Sequence, residues 1–326
     1  MKEASVYRGI LKQAWEITRR NKKLWVLGFL AIFWGNIGAY NIFDRSFGFL
    51  TAPTYPVSPG SLELAPVLKS ATPLAIASGI VMTLLILSVL FILLWFMTVG
   101  RGGLIEAIAK RSDNKKVTVA AAITKGAKFF WPLLGIGLLS RLDVPLYVFL
   151  LAPAVRRTAL GDGEGTGFFV LIFLAITLAS LILSFLGIYA SASVVLQGEK
   201  FLAAIKKSLQ LFSRFWLVSI ELALILYLVT LVLGIALIVA GLILGIPLLL
   251  LYVIVMLLQI PAGIWIVLVP AAVVYIALLI IVGSAFATFH MSAWTLLFMR
   301  LSREGAVAKV VRLTSRFAHV LHRKVI

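Results

Sequence analysis

Four ionisable side chains interrupt stretches of sequence that are otherwise apolar. Arg141 and Asp143 lie in one apolar run, Glu221 lies in a second and His290 lies in a third. A charged side chain in the middle of a membrane span costs roughly 2.5–3.5 kcal/mol on insertion scales. Such residues usually face the interior of a helix bundle, form pairs, and mark a pathway or a binding site.

Three interpretations of these four residues stay open. They line a site for a transported solute, or they form purely structural ion pairs. Alternatively, the chain breaks at Asp143-Val144-Pro145, which would place Arg141 and Asp143 at a membrane interface rather than inside it.

The spacing of the four residues predicts which of them meet. At 1.5 Å per residue, Arg141 lies about 15 Å along its helix from the predicted cytoplasmic end, and Glu221 lies about 7–8 Å along its own. Arg141 and Asp143 are two positions apart, so they do not face each other on a helix. We therefore expect Arg141 to lie near Glu221, and Asp143 near His290.

The residue types needed for catalysis or metal binding are scarce. The sequence has no cysteine, and His319 and His322 stand three apart in a basic segment without a nearby carboxylate. The glycine-rich run at 161–167 follows an apolar run rather than a strand, so it does not resemble a nucleotide-binding loop. We expect no catalytic residue, no metal and no cofactor. For the glycines at 100–103, close helix packing is favoured over an anion on their amides.

The composition of the chain indicates what kind of structure contains these four residues. Hydrophobic residues make up 62% of the 326 residues, charged residues make up 13%, and the mean hydropathy is +1.10. A soluble domain keeps about a quarter of its residues charged. This much apolar surface has to face lipid, so the chain is predicted to be an integral membrane protein.

Six apolar runs are long enough, or nearly so, for the roughly 20 residues that cross a bilayer. They cover residues 24–40, 73–99, 131–155, 168–197, 217–241 and 264–299. An apolar connector at 247–261, flanked by prolines, separates the last two. It is re-entrant, interfacial or a seventh span.

The distribution of basic residues along the chain distinguishes a six-span topology from a seven-span topology. Most of the 30 Lys and Arg residues fall in four blocks, at 2–23, 101–128, 200–214 and 300–324. Basic residues mark the cytoplasmic side of a membrane. Six spans place all four blocks on that side, whereas seven would place the last block outside, so six spans are predicted.

Two of the basic blocks have the 3.6-residue period of amphipathic helices. Before the fifth span, the apolar face carries Phe201, Leu202, Ile205, Leu209, Phe212 and Trp216. Contacts with anionic lipid headgroups are predicted for the basic residues Lys206, Lys207, Arg214, Lys309, Arg312, Arg316 and Arg323. Packing of these helices against the protein's own cytoplasmic ends is an equally good interpretation, and the two are compatible.

The chain also repeats itself weakly. Three basic amphipathic stretches each lead into a span that begins at a tryptophan, namely Trp25, Trp131 or Trp216. Each even-numbered span ends in small residues, which let helices approach closely in lipid. The pattern predicts three related helical hairpins.

Three segments resemble a known family. They are VVLQGEKFLAAIKKSLQLFSRFW, SAWTLLFMRLSREG and RRNKKLWVLGFLA. They are similar to the membrane domain that accompanies some bacterial glycerophosphodiester phosphodiesterases, and to related bacterial inner-membrane proteins of unknown role. The resemblance implies a helical membrane domain. It does not imply the hydrolase activity, because no soluble stretch here approaches the roughly 250 residues of such a barrel.

The sequence thus predicts an all-α, six-span membrane domain over residues 1–326. It comprises a basic cytoplasmic helix at 1–23, a bundle at 24–299 and a basic amphipathic tail at 300–326. We expect a non-enzymatic bacterial inner-membrane protein that organises lipids or a partner protein and does not bind nucleic acid. The alternative is a transporter of a small solute or lipid that uses the four in-span residues. A polar cavity around Arg141 would favour the transporter, and a solid bundle the organiser.

The predicted topology is testable with single cysteines, because the natural chain has none. Both termini are expected on the cytoplasmic side, so a cysteine introduced as Ser315→Cys should resist an impermeant thiol reagent added to intact cells. It should react once the membrane is permeabilised. Labelling from outside would contradict the six-span topology.

Overall fold

The structure is a computed structural model that describes residues 6–33, 72–142, 163–258 and 263–303. These residues form helices joined by short turns, and none of them lies in a strand. The helices are α1 (Val6–Arg20), a 3₁₀ turn (Lys22–Leu24), α2 (Trp25–Phe33), α3 (Pro73–Ser112), α4 (Val119–Lys128), α5 (Phe130–Leu139), α6 (Gly163–Gln197), α7 (Phe201–Leu257) and α8 (Gly263–Arg303).

Four of these helices, α3, α6, α7 and α8, are long and apolar enough to cross a membrane. The pair α4 and α5, bent by 72°, could form a fifth, broken span. The four long helices cover the predicted second, fourth, fifth and sixth spans, which confirms a helical multi-pass membrane protein. The predicted first and third spans continue outside the described residues, beyond Phe33 and Leu142.

The prediction that residues 247–261 form a connector separate from the fifth span is wrong in part. Helix α7 does not end near Gly241 but continues through Pro247 to Leu257, and its only non-helical residue is Phe215 (φ −126°, ψ 28°). Proline normally disfavours a helix interior because it lacks an N–H donor. In lipid, however, no water can satisfy the backbone groups that a break would free, so an apolar chain stays helical across proline.

The buried core lies at one end of the long helices. Helix α1 and the last turns of α3, α6 and α8 meet there with α4, α5 and the first half of α7. Trp294, the largest fully buried side chain in the described part of the protein, packs edge-on against Tyr189 and Phe185. By the distribution of basic residues, this is the predicted cytoplasmic end.

The opposite halves of the long helices are exposed. In the most apolar 18-residue window of α3, none of the residues is buried inside the structure. Leu84, Ile238 and Val273 illustrate this for α3, α7 and α8, since each is more than half exposed. This apolar surface is suited to contact with lipid.

Glycines allow α3 to pack closely against α4 and α5. A Cβ atom at Gly102 would lie 2.6 Å from a Leu133 methyl carbon, and one at Gly103 would lie 2.7 Å from the Ala122 carbonyl oxygen. No side chain fits at such distances. The structure therefore supports the packing interpretation of the 100–103 glycines.

Small residues line the buried ends of α6 and α8 as well. Those almost or fully inaccessible to solvent are Ala190, Ser191, Ala192, Ser193, Ala287, Ser292 and Ala293. Ser191 and Ser292 donate hydrogen bonds to carbonyl oxygens one turn back in their own helices, at 2.6 and 2.7 Å. Their hydroxyl groups are therefore satisfied without a partner from another helix, and the helices can approach closely.

Two glycine substitutions should have opposite effects on thermal stability in detergent. Gly103→Ala forces a methyl group against the α4 backbone, so we expect a loss of about 1–3 kcal/mol. Gly234→Ala is the matched control, because its Cβ would meet open space and alanine favours a helix by about 0.5–1 kcal/mol. Equal melting temperatures for the two variants would contradict the close packing of α3 on α4.

Candidate functional site

Glu221 links α7 to α1. Its carboxylate accepts a hydrogen bond from the hydroxyl group of Tyr7, a buried residue of α1. Because α1 is a basic amphipathic helix, this bond fixes a surface helix to a membrane-spanning one. The expected pairing of Glu221 with Arg141 stays a prediction.

Arg141 lies in the turn that follows α5. It is partly exposed, and it is close enough to Arg101 of α3 for the two positive charges to repel each other. Asp143 lies outside the described residues, and so does its expected pairing with His290.

Arg101 is a buried charge that the sequence analysis did not single out. Its side chain is packed where α3 meets α6, and only 2% of the residue is exposed. One terminal nitrogen donates a hydrogen bond to the Gly187 carbonyl oxygen at 3.2 Å. The Nε and the other terminal nitrogen have no hydrogen-bond partner among the described residues. A guanidinium is always charged and has five N–H donors, so the described residues satisfy only a small part of its bonding capacity.

The sequence predicts Arg101 as one of the cytoplasmic basic residues, because a charge directly after an apolar run usually marks the end of a span. The surrounding glycines were the signal that could have indicated otherwise. Side chains of this kind reach the interior where their neighbours are small enough to let another helix approach.

His290 sits in an aromatic environment in the core. Its Nε2 accepts a long hydrogen bond from the Trp294 indole nitrogen, at 3.4 Å, and the ring of Phe286 lies 6.0 Å from its own. Its Nδ1 has no hydrogen-bond partner within the described part of the chain. The arrangement is that of a packed core histidine.

Tyr189 connects α6 to the kink in α7. Its hydroxyl group lies 2.6 Å from the hydroxyl oxygen of Ser219. Ser219 in turn donates to the carbonyl oxygen of Phe215, the non-helical residue. Tyr189 is therefore the donor to Ser219, and this chain of bonds fixes the angle between the first part of α7 and the span that follows.

The first part of α7, residues 201–214, is termed the surface segment. Its apolar face is predicted to contact lipid, the bundle or both, and the residues fully buried against the bundle are Ala204 and Ser208. Leu202, Leu209 and Trp216 remain 75%, 51% and 52% exposed. The buried face therefore combines small residues, which allow close approach between helices, with Phe201 and Phe212, and the Phe212 ring stacks on Phe185 of α6 at 5.2 Å.

The basic residues of the surface segment alternate along the chain with the residues of this exposed apolar ridge. Lys206 is exposed, Lys207 forms an ion pair with Glu199 at 3.0 Å, and Arg214 lies over the Phe215 ring at 5.3 Å. The predicted headgroup contacts of the tail, Lys309, Arg312, Arg316 and Arg323, lie outside the described residues.

Two grooves run along α7. One lies between the exposed halves of α7 and α8, has a volume of about 920 Å³, and is apolar, with Pro247, Pro270 and Tyr275 in its walls. The other lies beside α1, has a volume of about 590 Å³, and is bordered by both basic and apolar side chains.

Comparison with known proteins finds no match among protein-family models, curated proteins or solved structures. The resemblance to the membrane domain of the phosphodiesterases therefore stays an expectation from the sequence.

Two double-mutant cycles that share Glu221 would identify the residue to which it is energetically coupled. We expect Tyr7→Phe and Glu221→Gln to be coupled by about 1.5–3 kcal/mol in detergent stability, because a hydrogen bond to a charged group is lost only once. The second cycle combines Arg141→Leu with Glu221→Gln and tests the sequence-based pairing. Additive losses in the Tyr7 cycle would contradict the bond seen in the structure.

Proposed function

We propose that this protein is a non-enzymatic component of a bacterial inner membrane that organises lipids, and that it binds anionic lipid through its basic surface helices. The observation that carries the proposal is that the surface segment exposes an apolar ridge, Leu202, Leu209 and Trp216, on the same helix as the exposed basic residues Lys206 and Arg214.

In water this ridge would be an exposed apolar patch on a charged helix. At a bilayer interface the same pattern is favourable, because the apolar ridge enters the acyl-chain boundary while the lysine and arginine side chains reach the headgroups. Each basic residue near an anionic surface contributes about 1 kcal/mol, and salt screens this attraction.

The predicted six-span topology places the same segment on the cytoplasmic side. That leaflet carries the negative surface potential that attracts basic segments next to the membrane. The N-terminal helix α1 joins the same surface, with Arg8, Lys12 and Arg19 exposed. Positive charge is thus concentrated at one face of the molecule.

The form of the bundle also supports an organising role. Its cytoplasmic end is tightly packed, and the serine hydroxyl groups described above bond within their own helices. Its opposite end exposes long apolar helices and an apolar groove between α7 and α8. Lipid contacts therefore make up much of the molecular surface.

One observation favours the transporter as a second candidate. Arg101 is buried with donors that no described residue accepts from, and Arg141 lies nearby, which together suit an anionic solute. Uptake of an anion by proteoliposomes that is lost in Arg101→Gln, with lipid selectivity unchanged, would favour this candidate over the organiser.

The test of the proposal is lipid selectivity in reconstituted membranes. Spin-labelled phosphatidylglycerol should be enriched over phosphatidylcholine among the lipids immobilised by the protein. The variant Lys206→Gln/Arg214→Gln should reduce that enrichment by about twofold or more at low salt.

The matched control neutralises two exposed lysines in the turn after α3, as Lys115→Gln/Lys116→Gln. It makes the same change in net charge away from the surface segment, so its effect should be smaller. Equal effects of the two variants would show that net charge matters rather than the surface segment, and no enrichment in the natural protein would overturn the proposal.

A further inference from the structure

The groove beside α1, termed the α1 groove, has walls of different character. Helix α1 provides Arg8, Lys12 and Trp15 on one side. Helix α7 provides Ile225 and Val229 on the other, and Phe289 of α8 completes that wall. Its volume of about 590 Å³ is larger than a gap between side chains.

The walls of the α1 groove are held in place by contacts near both ends. Ile10, Ala14 and Ile17 bury the inner face of α1 in the core. Near one end the Tyr7 hydroxyl group binds Glu221, and near the other the Trp15 ring packs edge-on against Phe289 at 6.3 Å. The groove therefore forms part of the folded structure.

Polarity changes across the groove from one wall to the other. Arg8 and Lys12 are one helical turn apart and both are exposed, so their side chains form a cationic rim. Ile225 and Val229 are also one turn apart, and they lie roughly 13–20 Å past the interfacial Trp216 along α7. The apolar wall thus extends from the interface toward the bilayer interior.

We propose that the α1 groove binds one anionic phospholipid, with its phosphate at Arg8 and Lys12 and an acyl chain along Ile225 and Val229. An anionic phospholipid has the same two-part pattern, a negative head joined to an apolar chain. The Glu221 carboxylate accepts a hydrogen bond from the Tyr7 hydroxyl group. Lys12 lies more than one turn of α1 beyond Tyr7, so it is separated along the helix from that carboxylate. The inference rests on the proposed lipid-binding function and narrows it to one molecule at one site.

Native mass spectrometry of the delipidated full-length protein tests the site, with phosphatidylglycerol and phosphatidylethanolamine of matched chains as probes. The natural protein should retain one phosphatidylglycerol more tightly than phosphatidylethanolamine. Arg8→Gln/Lys12→Gln should weaken phosphatidylglycerol binding by about 30-fold at low ionic strength, because two charges contribute about 1 kcal/mol each. Its binding of phosphatidylethanolamine should change little.

A second variant tests the apolar wall. Val229 lines the groove and is 36% exposed, so Val229→Trp adds bulk there and should weaken binding of both lipids. Val232→Trp is the matched control on the same helix, because Val232 is 66% exposed and does not line the groove. Melting temperatures of all variants establish that they are folded.

The outcomes separate the site from the proposed function. If Arg8→Gln/Lys12→Gln binds phosphatidylglycerol as tightly as the natural protein, the site is wrong even where immobilised lipid is enriched in phosphatidylglycerol. If the bound molecule is lost in that variant while the Lys206/Arg214 variant changes no selectivity, the site stands and the surface-segment proposal fails. Equal effects of Val229→Trp and Val232→Trp would also overturn the site.

Discussion

The fold depends on the close approach of helix backbones at one end of the bundle. Between helices in lipid there is no hydrophobic driving force, so van der Waals contact between small residues has to hold them. Gly102, Gly103 and Ala122 provide that contact between α3 and α4. Because the helices are joined there, their other halves can separate and meet lipid. The basic surface helices are positioned by the same packed end, through Ala204 of α7 and Ala14 of α1.

The long apolar helices were predicted well from the sequence. Long uninterrupted apolar runs require helices in a membrane, and α3, α6, α7 and α8 follow from that requirement. Pro247 misled the interpretation, because proline is a strong stop signal only where water can satisfy the freed backbone. In the surface segment the amphipathic pattern indicates large apolar residues, and one of them, Phe212, does pack on Phe185. The fully buried contacts also use the small Ala204 and Ser208, which that pattern does not single out.

The charged residues show which contacts a single sequence is not sufficient to predict. Glu221 is singled out by its position inside an apolar run, but its partner Tyr7 is 214 residues away, and no pattern in the sequence indicates that the helix of Tyr7 packs on α7. Arg101 was overlooked because the positive-inside rule concerns which side of the membrane a charge is on. Whether a charge is buried depends on how closely the neighbouring helices pack around it. A single sequence does not show that packing.

The length of α7 has a further consequence. Beyond the kink at Phe215 the helix continues to Leu257, roughly 63 Å at 1.5 Å per residue, against a hydrocarbon core of about 30 Å. Even a tilt of about 40°, the upper end of the usual range, leaves a projection of roughly 48 Å. The remainder has to be absorbed by bending, by local thickening of the bilayer or by emergence of the helix end. Each ångström of hydrophobic mismatch costs a fraction of a kcal/mol, so the thickness of the host membrane becomes a determinant of this protein's conformation and of where it can reside.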